Sequence, residues 1–133
     1  MKWTALKMQK LLFALAIGTV ILSPAVASDR EDAISIVHRW IKGFNNADLK
    51  MIVSACATET SMIDDFPHHE WHGVGACAKW FGDFQTMAKS AGLSRSAIAI
   101  GDSSHVEMSP SFAYVVAPVT LSFEPAHEKK GLS

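Results

Sequence analysis

The chain predicts an α+β domain, with helices laid on one face of an antiparallel sheet. Two observations carry that reading. Apolar residues recur at three- and four-residue steps through the first two thirds of the chain. In the last third they alternate one by one, the period of a strand. The two regimes meet at Gly92, and no repeat or low-complexity linker divides them.

Asp29 to Asn45 reads as the first helix. Ser28 or Asp29 caps it, and Glu31 and Asp32 suit its positive N-terminal end. Ala33, Ile34, Val37, Trp40, Ile41 and Phe44 form its apolar face, and Asn45-Asn46 break it. Asp48 caps a second, shorter helix with Leu49, Ile52, Val53 and Cys56 inward. Ser61 to Ile63 forms a short strand; Pro67 then stops regular pairing and Gly73 ends the segment. From Val74 to Ala91 the helical period returns, with Cys77, Trp80, Phe81, Phe84, Met87 and Ala88 on one side and Gly92 closing it.

Ser96 to Ile100 alternates, and His105 to Met108 continues that strand after a turn or bulge at 101–104. Ser109-Pro110-Ser111 is a turn. Phe112 to Phe123 is the strongest strand. One face carries Phe112, Tyr114, Val116, Pro118, Thr120 and Ser122; the other carries Ala113, Val115, Ala117, Val119, Leu121 and Phe123. Pro118 has no N–H for a ladder, which implies an edge or a bulge there. The tail from Glu124 to Ser133 is polar and has no period.

A leader precedes the domain. Lys2, Lys7 and Lys10 come before an apolar run, Leu11 to Leu22, and Ala25-Val26-Ala27 follow Pro24. A basic start, a short apolar core and an A-x-A end are the parts of a secretory signal peptide, and the run is short for a bilayer span. Residues 1–27 are therefore expected to be removed, with 28–133 as the exported domain, periplasmic or secreted. Losing three lysines moves the formal charge from −1 to −4. No basic stripe is visible, so nucleic acid is not an expected partner, nor is a membrane after cleavage. Cys56 and Cys77 are the two cysteines. An oxidising compartment permits a disulfide, but two small buried residues on helix faces is the favoured reading.

The most polar stretch is Ser61 to Gly73, "SMIDDFPHHEWHG". His68, His69 and His72 with Asp64, Asp65 and Glu70 are ligand types that zinc accepts. However, H-E-W-H is one residue short of H-E-x-x-H, and Pro67 and Gly73 leave no room for a helix to converge the imidazoles. No metal site and no cofactor are expected. A solvated rim loop fits better.

Three segments together resemble a known family. They are "VHRWIKGFNNADLKMIVSACATETSMIDDFP", "EWHGVGACAKWF" and "SFAYVVAPVTLSFE". Their order and spacing resemble the nuclear-transport-factor-2-like superfamily, in its SnoaL-like and ketosteroid-isomerase-like branch, from Asp32 to about Glu124. The resemblance implies a cone-shaped roll, three helices on a strongly curved antiparallel sheet around a pocket. It also implies that the last two strands of the family domain are missing after Phe123, leaving that strand as an edge. Asp64 falls on the position of the family's catalytic base, suited to moving a proton beside a carbonyl from an apolar pocket. The family's oxyanion-stabilising tyrosine is Trp40 here, and its late-strand aspartic acid has no counterpart, which disfavours steroid isomerisation.

The resemblance further implies that aromatic residues line the pocket with Asp64: Trp40, Phe44, Trp71, Trp80, Phe84 and Tyr114. The expected function is an exported SnoaL-like protein binding a small apolar molecule. The alternatives are an isomerase or lyase with Asp64 as general base, and a non-catalytic subunit that forms a homodimer through its sheet.

Overall fold

In a computed structural model of the protein, residues 24–102 and 104–126 are described. Most of the expected leader and of the polar tail lie outside them. The elements are α1 (Pro24–Asn45), α2 (Leu49–Ser54), β1 (Glu59–Ile63), β2 (Glu70–Val74), α3 (Ala76–Ser90), β3 (Leu93–Ile100), β4 (His105–Met108), β5 (Ala113–Val116) and β6 (Val119–Pro125). The fold is α+β, with helices packed against small antiparallel sheets. Among the described residues, no helix is long and apolar enough to cross a membrane.

The first helix begins at Pro24, five residues before the expected Asp29, so Ser28 and Asp29 lie within it and do not cap it; its later turns present the face the period requires. Ile41 and Phe44 are buried, and Val37 and Trp40 are half-buried. It ends in a two-bond cap: the Ala47 N–H donates to Phe44 O at 3.0 Å and the Asp48 N–H to Gly43 O at 2.8 Å. Asp48 then caps α2, its carboxylate accepting from the Met51 N–H at 3.0 Å. The cap puts Ala47 at φ 51°, a left-handed conformation that is costly for any side chain. Ala47→Gly is expected to stabilise the fold by about 0.5–1 kcal/mol, the relieved strain exceeding glycine's extra unfolded entropy. Urea unfolding of the two forms measures the difference.

The second helix departs from its expected face. Ile52 is fully buried, but Leu49 and Val53 are 46% and 43% exposed. A six-residue helix has one side to offer, and it packs on α1 and α3. Gly43 permits the close crossing: a Cβ there would lie 2.8 Å from the Ile52 backbone nitrogen.

Two further expectations need correction. Pairing does not stop at Pro67: Glu70–Val74 turns back onto β1, from Ile63↔Glu70 to Glu59↔Val74. Gly73, at φ 82°, lies inside that strand, and α3 begins only at Ala76. The strand hides in the sequence because its single buried residue, Trp71, leaves no run of alternation. The cysteines also differ from the favoured reading. Cys56 and Cys77 form a disulfide across a Cα–Cα distance of 6.5 Å, joining the end of the α2 segment to the first turn of α3.

The last third forms one hairpin made of two ladders, β4–β5 and β3–β6, laid end to end. The Gly101 N–H donates to Pro118 O at 2.8 Å where they meet. Four residues separate Ile100 from His105 and two separate Val116 from Val119, so the strand does continue past a bulge. Pro118 sits at that break, as its missing N–H requires. Among the described residues, β6 pairs on one side only.

Two polar contacts fasten the hairpin to the helices. The Arg30 guanidinium donates to Val106 O at 3.1 Å. The Asn45 side chain meets both backbone groups of Ile98, donating from Nδ2 to its carbonyl at 2.8 Å and accepting from its N–H at Oδ1 at 2.7 Å.

Candidate functional site

Between the helices and the hairpin lies a cavity of about 550 Å³. Val37, Trp40, Ile41 and Phe44 of α1 form one wall, and Trp80, Phe84 and Met87 of α3 form the next. The third wall is the hairpin, which offers Val115, Ala117, Val119, Leu121 and Phe123. These are alternate residues, as the period of a strand dictates. Their face is wholly apolar, while the opposite face carries Thr120 and Ser122, so hydrophobic burial selects it. Val119, Leu121 and Phe123 remain 43–55% exposed, so the cavity opens to solvent along β6.

The floor is an aromatic cluster. Trp80 lies 5.2 Å from Trp40, 5.8 Å from Phe84 and 6.1 Å from Phe44 between ring centroids. Phe66 completes it, 6.4 Å from Trp80 and 5.0 Å from Trp71.

The polar end of the cavity is the turn between β1 and β2. Asp64 and Asp65 are the charged residues of the lining, which holds no Lys, Arg or His. Asp64 is half-buried and Asp65 exposed, in keeping with their places at a strand end. The Trp80 indole N–H donates to Asp64 Oδ2 at 2.9 Å, and the Asp65 amide donates to Asp64 Oδ1 at 2.7 Å. These two bonds fix the carboxylate on the helix–sheet side of the turn. The carboxylate can still accept, because each oxygen offers about two lone-pair sites. The turn itself closes through the Asp64 N–H to His69 O at 3.0 Å and the His69 N–H to Phe66 O at 2.9 Å. His69 adopts φ 63° there.

Of the expected lining residues, Trp40, Phe44, Asp64, Trp80 and Phe84 come together on the cavity. Trp71 and Tyr114 do not. Trp71 is 3% exposed beneath Phe66, its indole N–H donating to Asp83 Oδ2 at 2.8 Å. Tyr114 stands on the outer face of the hairpin, 56% exposed and opposite Glu107. Phe66 is the aromatic wall residue the sequence reading missed. An aromatic ring between Asp65 and Pro67, in an otherwise polar turn, was the signal available.

The histidines go separate ways. His68 packs its ring 6.3 Å from Trp71, and His69 Nδ1 lies 3.3 Å from Asp64 O. His72 lies on the exposed face of β2, with Nδ1 2.9 Å from Ser61 Oγ and Nε2 3.1 Å from Glu70 Oε2. Among the described residues, no group of three or more His, Cys, Asp or Glu is arranged to hold a metal ion.

No family model, curated protein or solved structure matches this chain.

Proposed function

We propose that the protein binds a small, largely apolar molecule in the cavity between α1, α3 and the hairpin. One observation carries this: a cavity of about 550 Å³ whose lining is apolar except for Asp64 and Asp65 at one end. Pockets of about 300–1,000 Å³ with apolar walls and a few fixed polar groups are the usual form of small-molecule sites. The order of two helices, a short hairpin, a third helix and a longer hairpin supports the resemblance to the SnoaL-like branch and its cone-shaped roll. The isomerase or lyase alternative draws less support. Trp40 stands where the resemblance puts the oxyanion-stabilising tyrosine, and an indole N–H is a far weaker acid than a phenol; the Trp80 N–H, the other indole donor of the lining, is already donated to Asp64.

The test is binding of 1-aminoanthracene, a neutral fluorescent reporter. Saturable, blue-shifted emission is expected, and Ala117→Trp should weaken it at least about tenfold by filling the cavity, with the melting midpoint within a few degrees of wild type. Unchanged binding in Ala117→Trp would place the reporter elsewhere and remove this reading.

A second reading, a subunit that dimerises through its sheet, draws on the exposed outer face of the hairpin. Phe112, Tyr114 and Val116 are 65%, 56% and 47% exposed there. Sedimentation equilibrium of wild type and Val116→Lys decides it: a dimer lost in the variant supports the subunit, and a wild-type monomer sinks it.

We also propose export. The Cys56–Cys77 disulfide supports an oxidising compartment. Protein recovered outside the cytoplasm should begin at Ser28 by N-terminal sequencing; a start at Met1 would count against processing after Ala27.

A further inference from the structure

Resting on the binding reading, we propose that the ligand is an apolar molecule bearing an ammonium group, seated with its charge against Asp64 and the tryptophan wall. The charge distribution points there first. Asp64 and Asp65 face the cavity, and no Lys, Arg or His shares its lining. Neither carboxylate has an ion-pair partner among the described residues; the pairs found there are His72–Glu70 and His105–Glu107. The imidazole beside the turn, His69, reaches the backbone carbonyl of Asp64 at 3.3 Å and not its carboxylate. The polar end of the cavity therefore carries negative charge with no ion-pair partner among the described residues.

The walls suit the same group. Trp40 and Trp80 both line the cavity, their rings 5.2 Å apart, and Phe44, Phe66 and Phe84 surround them. Aromatic rings attract a cation through their quadrupole, tryptophan most strongly, and a carboxylate beside such rings adds direct Coulomb attraction. The bonds from Trp80 and Asp65 hold the Asp64 carboxylate in one orientation, so little is lost in ordering it when a ligand arrives.

Competing ligand classes fare worse at this site. A fatty acid or other carboxylate would meet like charge. A neutral apolar molecule would fill the cavity but strip water from the carboxylates without replacing its hydrogen bonds. An ammonium group offsets both costs.

Displacement of 1-aminoanthracene from the full chain by three matched probes tests the proposal. They are benzyltrimethylammonium, its neutral carbon isostere neopentylbenzene, and phenylacetate. The cation is expected to bind about tenfold tighter than the isostere, with phenylacetate weakest, and added sodium chloride should weaken the cation alone. Asp64→Asn keeps an acceptor for the Trp80 N–H and should erase most of the cation's advantage over neopentylbenzene. Equal affinity for cation and isostere in the wild-type protein overturns the ammonium proposal and leaves the apolar cavity standing. If the reporter binds saturably and Ala117→Trp does not affect it, the cavity reading falls first. Should Asp64→Asn fail to fold, the wild-type comparison still decides, since it needs no variant.

Discussion

Trp80→Ala is expected to remove about 3–5 kcal/mol of stability, the range for deleting a large buried aromatic side chain. Trp80 is 4% exposed and sits at the centre of the core. Its ring lies within 6.4 Å of those of Trp40, Phe44, Phe66, Phe81 and Phe84. The alanine leaves five aromatic neighbours facing a void that rigid rings cannot close. It also strips Asp64 of the donor at 2.9 Å. Against a typical total of about 5–15 kcal/mol, such a loss brings the domain close to unfolding. Trp80→Phe separates the two effects. It keeps most of the apolar surface and discards the N–H, so its cost should fall to about 1–3 kcal/mol. Urea unfolding of the three proteins measures both steps. A loss below about 1 kcal/mol for the alanine would show that this cluster does not hold the fold together.

Breaking the Cys56–Cys77 disulfide should cost about 3 kcal/mol. The bond spans 21 residues of sequence, and closing a loop of that size removes about that much chain entropy from the unfolded state. The loss should not spread evenly. Of the apolar residues of α2 only Ile52 is buried, so the bridge at its far end is its second anchor. Reduction is therefore expected to release α2 first, seen as faster amide exchange in 49–54 than in α3. Thermal melts of wild type with and without reductant, and of the Cys56→Ser/Cys77→Ser double variant, check the magnitude. A melt that reductant does not move would mean that the sulfurs are not paired in solution.

The parts of this fold that were legible in the sequence are those with a long period. The buried faces of α1 and α3, the two faces of the last hairpin and the break at Pro118 all follow from spacing and from one missing N–H. What was not legible depends on partners distant in sequence. Strand β2 has a single buried residue, and its pairing is set by β1 across the turn. Leu49 and Val53 look inward by period, but α1 and α3 together cover only the Ile52 side of this short helix. The disulfide needs the approach of two Cβ atoms that no spacing reveals. Within the site, alternation defined two faces of the hairpin without choosing between them. The resemblance puts Tyr114 in the pocket, and the structure turns the wholly apolar face inward instead. Asp64 and Asp65 both border the cavity, and what separates them is burial: Asp64 is half-buried and held by the Trp80 N–H, and Asp65 is exposed.

Asn45 has a consequence for behaviour at high concentration. An unpaired strand edge is a template on which another molecule can add its own strand, the first step of fibril growth. On β3 the outward-facing N–H and C=O of Ile98 are already occupied by the Asn45 amide, which offers the donor and acceptor of a strand in a single side chain. An incoming chain would have to displace it. Pro118 and Pro125, near the two ends of β6, have no N–H to lend to such growth on the other side. One helix-terminal amide thus guards the middle of the β3 edge against strand addition.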